Sequence, residues 1–318
     1  MFCIRSSPSP VVAVRTALVA ATLTVVAFVS ACGSGEDPAP AVIAQSTTKE
    51  TTVPVSAITT SVLDAGAEPR QKVTFHPRPD ADQHARLVTS STVYQQIDAQ
   101  PQQDFSTPAV TTDLTARVPG GQTDPAFSVD LTLGEMTAPD PRLEDALRAS
   151  EGSKAGLTMQ PSGAITALRL TPAPDSRDIA RSAIEQAFYQ AVYRTVAFPD
   201  AEIGVGAVWT MQQQVMSGIA LNQTTTATLR ERVGDRLTVD LSVNQTPNST
   251  VWDLPGEAGA LNVDTYSMAG TGTLVLDLGV PLPVDGTVTV GGEQTYSDPN
   301  SSTRLRQSTT STVTWSAP

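Results

Sequence analysis

The sequence predicts an α+β protein that is mostly antiparallel β: a curved open sheet, or half-barrel, of about ten strands with one long amphipathic helix packed on it. Three observations predict it. Apolar and polar residues alternate with period two over most of the chain after residue 71. Clusters of Gly, Pro, Asn and Asp punctuate the alternating stretches. A single long stretch near the middle switches to helical spacing.

Taken from the start, the chain opens with Arg5 and Arg15, followed by an uncharged, mostly apolar run from Thr16 to Ala31. A basic start, a short apolar core and small residues at its end form a secretory signal. The run falls short of the roughly 20 residues that a membrane-spanning helix needs. It ends in Val29-Ser30-Ala31-Cys32, followed by Gly33-Ser34-Gly35. These four residues resemble the lipobox of bacterial lipoproteins. The resemblance implies cleavage before Cys32 and a diacylglyceryl group on its sulfur. An ordinary cleaved signal or an uncleaved anchor are the alternatives. On this reading residues 1–31 are a lipoprotein signal peptide, and the mature protein is lipid-anchored at the outer face of the cytoplasmic membrane, in the cell envelope.

Removing 31 of 318 residues leaves 287 and takes Cys3 away, so no intrachain disulfide is available. The fold must hold by burial and hydrogen bonding, for which the length is ample. Two arginines leave with the signal and no acid does, so formal charge moves from −12 to −14. Such a surface repels phosphates and anionic headgroups, which argues against a nucleic-acid partner. The expected membrane contact runs through the lipid on Cys32. The few lysines, Lys49, Lys72 and Lys154, beside many arginines resemble the usage of actinobacteria.

Residues 32–70 are rich in Gly, Ser, Thr, Pro, Ala and acid, and read as the lipidated cysteine and a flexible stalk. The part around Val53 to Val62 also fits an edge strand. Residues 71–318 read as one β-rich exported domain. Its strand signals include Ala85 to Ile97, Phe127 to Leu133, Ala207 to Val215 and Leu237 to Val243, with a hairpin at Gly234-Asp235. Pro141 to Ala149 suits a short helix. The long helix is expected from about Arg177 to Ala197, with Asp175 or Ser176 as N-cap and Pro199 as stop. Its apolar stripe holds Ile179, Ala183, Ile184, Ala187, Phe188, Ala191, Val192 and Val196. Arg181, Glu185, Gln190 and Arg194 fall elsewhere on it.

Phe127-Ser-Val-Asp-Leu-Thr-Leu133 matches Leu237-Thr-Val-Asp-Leu-Ser-Val243 at all seven positions by identity or similarity. The match suggests two repeated units, residues 85–170 and 205–316, of roughly five strands each. A sheet with one crossing helix buries its apolar face either as a half-barrel around that helix or as a sandwich. The wide stripe with Phe188 favours the half-barrel. In this layout, the lipobox, the antiparallel pattern and the crossing helix, the chain resembles uncharacterised cell-envelope lipoproteins of actinobacteria. More distantly it resembles the half-barrel lipid carriers of bacterial envelopes, the LolA and LppX type. That resemblance implies a non-catalytic protein that binds or carries a lipid.

Residues that carry chemistry are scarce. The chain has two histidines, His76 and His84, and no Gly-x-Ser-x-Gly elbow. Asp80-Ala-Asp-Gln-His84 resembles the start of a calcium loop but lacks Gly at the sixth position and Glu at the twelfth. A charged turn is the better reading. The glycine pairs Gly204/Gly206, Gly270/Gly272 and Gly291/Gly292 lack the strand-to-helix setting of a nucleotide site. Neither a catalytic set, a metal site nor a cofactor is nominated, and the chain reads as a non-enzyme. Ile184, Phe188, Val192, Trp209 and Met211 fit the lining of a ligand cavity between sheet and helix, and fit plain core equally well. Two functions follow: a tethered lipid-binding protein, or an envelope scaffold with a solid core that contacts another envelope protein.

Overall fold

A computed structural model describes residues 50–122, 124–254 and 259–318. The signal segment, Cys32 and the lipobox residues Val29, Ser30 and Ala31 lie outside the described residues. Alternating Thr and Val at the start of the described chain form two short strands, β1 (Thr51–Pro54) and β2 (Thr59–Asp64). Next come β3 (Asp82–Ile97), β4 (Gln103–Asp104), β5 (Thr107–Arg117) and β6 (Phe127–Thr137). Helix α1 (Pro141–Arg148) precedes the hairpin β7 (Lys154–Met159) and β8 (Ile165–Thr171), and α2 (Asp178–Val192) follows it. The chain then runs through β9 (Val208–Ser217), β10 (Ile219–Val233), β11 (Arg236–Pro247), β12 (Val251–Asp253), β13 (Ala260–Asp277), β14 (Asp285–Ser297) and β15 (Arg304–Ser316).

All fifteen strands join one antiparallel sheet in the order β1-β8-β7-β6-β5-β3-β15-β14-β13-β11-β10-β9-β2, with β4 on β3 and β12 on β13. The expectation of about ten strands around one long helix is therefore overturned. The structure has fifteen strands and, among the described residues, two short helices of 8 and 15 residues. Part of the difference lies at residues 51–64. Their small polar composition reads as stalk, with an edge strand around Val53 to Val62 as the alternative; Thr and Val are β-branched and pair readily. They form the two end strands of the sheet, β1 on β8 and β2 on β9.

The short strands β4 and β12 add two more, and a separate difference lies in α2. It stops at Val192, five residues before the expected end at Ala197. Its N-cap is Arg177, without a side-chain cap bond. Ser176 is buried instead, its hydroxyl 2.7 Å from that of Ser150. The β-branched pair Thr195-Val196 favours extended backbone, and the chain leaves the helix so that the Phe198 amide donates to the Ser162 carbonyl at 2.8 Å. Ile179, placed on the apolar stripe by spacing, is exposed, and Ala180 is buried in its stead.

Residues 55–58 join the two end strands of the sheet. Thirteen strands laid flat would separate their ends by about 58 Å, at about 4.8 Å per step. The strap from Pro54 to Thr59 spans at most about 17 Å. The sheet must curl until its edges nearly meet, which turns one face inward around the core. Inward positions alternate with outward ones accordingly, as in Leu237, Val239, Leu241 and Val243 of β11. The turn Gly234-Asp235 joins β10 to β11 as the sequence predicts.

The two ends of the strands make two rims. The near rim holds the turns β5–β6, β7–β8, β10–β11 and β13–β14, and the far rim holds β3–β5, β9–β10 and β14–β15. Segment 65–80 closes the near rim. Its amides bond to the carbonyls of Val205, Ile203, Pro161, Leu278, Gly279 and Val118 in turn, which ties it to four different turns or entries of the sheet.

Gly66 sits at φ +76° in this closure, and a Cβ there would lie 2.5 Å from the Ala207 nitrogen and the Gly204 oxygen. Gly234 has a similar φ of +61° but open space around it. Both alanine substitutions incur left-handed strain, and only Gly66→Ala adds overpacking. We expect Gly66→Ala to destabilise the fold by about 1–3 kcal/mol more than Gly234→Ala in urea unfolding. Equal losses would show that the closure segment yields freely.

Candidate functional site

The closure of the sheet leaves two spaces on either side of one wall. The wall is built from Thr74-Phe75, the β7–β8 turn at Ser162-Gly163, and Val196-Ala197, where the chain leaves α2. Backbone bonds knit it: the Phe75 amide donates to Pro161 (2.7 Å) and the Phe198 amide to Ser162 (2.8 Å). Behind it the rings of Phe75, Phe198 and Trp209 pack in series, with centroids 6.0 and 5.7 Å apart.

Outside the wall is a cleft of about 320 Å³ at the seam between the sheet edges. Ile58 of the strap, Thr60 of β2, Lys72 to Thr74, Gln160 to Ser162 with Ala164, and Ala197 to Asp200 line it. Its chemistry is mixed: amide and hydroxyl groups, apolar side chains, and Lys72 Nζ paired with Asp200 at 3.0 Å on the rim. Inside the wall is an apolar cavity of about 30 Å³, lined by Phe75, Leu131, Leu157, Phe188, Val192, Leu276, Leu282 and Trp315 among others. That space suits about one water molecule, whereas drug-sized ligands occupy roughly 300–1,000 Å³. Neighbouring residues of one backbone face opposite spaces: Thr74 outward and Phe75 inward, Ser162 outward and Gly163 inward.

The residues expected to line a ligand cavity divide. Phe188 and Val192 line the inner cavity. Ile184, Trp209 and Met211 are buried in the core but do not line it. Trp209 and Met211 hold the wall from behind: the indole N–H donates to the Ala197 carbonyl (2.9 Å), and the Met211 sulfur accepts from the Ala197 amide (3.1 Å). Phe75 and the cleft residues were not singled out from sequence. The alternation Val73-Thr74-Phe75 is the one signal that marks them.

Arg194, placed off the apolar stripe by the sequence reading, is 8% exposed. It follows the buried Ala187 by seven residues and Ala191 by three, so it lies on the inward side of the chain just past α2. Its Nη1 donates to Gln223 Oε1 at 2.8 Å, and Gln245 Nε2 donates to the same oxygen at 2.8 Å. Gln223 Nε2 in turn donates to the Tyr193 carbonyl. Gln213, Gln223 and Gln245 are register neighbours across β9, β10 and β11, which makes a polar band across the inner face. Among the described residues no carboxylate pairs with Arg194, and burial pushes its pKa down to about 10. The carboxy end of α2 beside it favours a cation.

Other candidates resolve into structural pairs. Asp80 and Asp82 both face Arg117, at 3.4 and 3.6 Å, which accounts for the calcium-like string as a charged turn. His76 Nε2 lies 3.2 Å from Asp235 on the surface, and His84 meets the Thr115 hydroxyl. Glu144 and Asp145 both pair with Arg148 along α1. Among the described residues no cluster of three metal-ligating side chains occurs, and no helix is long and apolar enough to cross a membrane.

Comparison with known proteins finds no matching protein-family model and no matching curated protein.

Two outcomes follow. Gln223→Leu removes the oxygen shared by Arg194 and Gln245, leaves a buried cation short of an acceptor and should lower stability by about 3 kcal/mol. Arg194→Met in that background should recover more than half of the loss; no recovery in the double mutant would show that the amides, not the charge, hold the band. The second outcome concerns pH. Burial raises the pKa of Tyr296 to about 12 and pushes Tyr189 and Tyr266 the same way. The folded state thus keeps protons that the unfolded chain releases near pH 10, so this stability is lost as pH climbs from about 10 towards 12. Arg194 has the opposite sign, since its burial cost is relieved above pH 10. Three tyrosines outweigh it. Denaturation midpoints should fall between pH 10 and 12, and Arg194→Met should steepen the fall.

Proposed function

We propose that the chain is a membrane-tethered, non-catalytic binding protein of the cell envelope whose ligand is an amphipathic, lipid-like molecule. The observation that supports it most is the pairing of the seam cleft with the apolar cavity across one thin wall. Polar groups of the cleft, Lys72, Thr74, Gln160 and Ser162, suit a headgroup. An acyl chain passing between Thr74-Phe75, Ser162-Gly163 and Val196-Ala197 would enter an apolar space already begun at Phe188 and Val192. The inner space must grow to take it, and the wall residues are those that move. The lipobox-like Val29-Ser30-Ala31-Cys32 supplies the tether in this reading.

The test is mass spectrometry of residues 50–318, which carry the strap and the core, exported under a cleaved signal and purified without detergent. The sample is analysed natively and after solvent extraction. We expect a stoichiometric amphipathic molecule in the wild type. Leu157→Phe, which fills the inner cavity, should remove it at unchanged secondary structure. An apo mass with no uptake of offered phospholipids would favour the alternative, a scaffold that contacts another envelope protein.

A further inference from the structure

The far rim of the sheet gathers exposed large apolar side chains, Tyr94, Ile97, Phe105, Met216 and Val251, around a half-buried aromatic line. Ile97 at the end of β3 pairs in register with Leu305 of β15, and Leu305 with Tyr296 of β14. Tyr296 packs on Trp252 of β12, with ring centroids 4.9 Å apart. Trp252 lies over Gly218, the turn glycine of β9–β10, next to Met216. Tyr296 is buried beneath Trp252, and Ile97, Leu305 and Trp252 are the partly open members of the line. Its flanks are exposed: Met216 by 58% and Phe105, beside β4, by 43%, with Tyr94 and Val251 also outward.

The chain also enters the fold at this rim. Thr51 pairs with Leu170 near the far end of β8, and Thr171 Oγ1 lies 3.5 Å from Glu50. Cys32 precedes Thr51 by 19 residues, so a lipid on it lies within about 65 Å of the rim. Trp and Tyr backed by aliphatic side chains are the composition that settles at a bilayer's interface. Three carboxylates of the rim turns accept backbone amides: Asp98 from Arg304, Asp104 from Ser106 and Asp298 from Asn300, while Asp253 beside Trp252 is exposed.

We propose that the far rim, centred on Trp252, seats on the surface of the bilayer that holds the tether. The contact is apolar and interfacial, so it needs no anionic lipid and is insensitive to salt. Seating leaves the seam cleft, formed at the near-rim ends of β7, β8 and β9, open to solvent. This docking rests on the tether read from Cys32.

The test uses the full lipidated chain, reconstituted in phosphatidylcholine vesicles with brominated acyl chains. Trp209 and Trp315 are buried towards the near rim, about 25 Å along the strands from the far rim, so quenching reads Trp252. We expect at least fivefold more quenching than in Trp252→Phe. The double variant Phe105→Asp/Met216→Asp should lower it at least threefold while the chain still floats with the vesicles. A chain that floats with Trp252 no more quenched than the Trp252→Phe control overturns the docking and leaves the tether standing. A chain that does not float overturns the tether, and the docking with it.

Discussion

Residues 55–58 impose the constraint on which the rest of the molecule depends. They are too short to join the ends of a flat thirteen-strand ladder, so the sheet has to curl and bring β8 and β9 near each other. Curling gives the sheet an inside. Once it has one, every second side chain is committed to a shared core, and the register cannot slip by one residue without turning that set to solvent. The closure of the near rim follows from the same geometry. A curled sheet has open ends, and segment 65–80 fills one of them by bonding in turn to the entries and turns it passes.

Much of the fold is legible in the sequence because period-two alternation reports a two-sided sheet directly. Ala85 to Ile97 and Leu237 to Val243 lie within strands of the structure, and the turn at Gly234-Asp235 stands where its chemistry demands. What alternation does not report is which edge pairs with which. Thr51 to Asp64 has the composition of a linker, and its pairing comes from two partners, Leu170 and Gln212, more than a hundred residues away. Two of the additional strands, β1 and β2, arise in this way. Of the candidate site, Phe188 and Val192 were legible because helix spacing points them inward. The seam cleft was not, since Ile58, Lys72, Gln160 and Asp200 meet only when the edges do.

Arg194 shows how a buried cation is held without an acid. Counted along an ideal helix it shares the side of Ala187 and Ala191, both buried, and a buried arginine without a carboxylate is costly. The structure offsets that cost with amide oxygen and the carbonyl end of α2 instead of an acid. Gln223 is the keystone of the arrangement, accepting from both Arg194 and Gln245 while donating to Tyr193. A polar band of this kind is hard to satisfy in any other packing, so it favours one seating of α2 on the sheet over slipped alternatives.

The same topology decides where the molecule can open. Separating β13 from β14 breaks a ladder between strands of 18 and 13 residues, and the buried faces of Leu274 and Val288 would be exposed with it. The end strands are different. β1 has four residues, mostly exposed, and β2 has six, with a register shift near its end. Each ladder bond contributes about 1 kcal/mol net, so releasing the strap costs a small part of what any internal pair would. Opening free energies in proteins are lowest where few apolar groups are buried and few backbone bonds are held. The short end strands β1 and β2 are such places. Ile58 between them and Thr60 of β2 border the cleft, so the easiest motion of the sheet and the entrance proposed for a ligand coincide at the seam.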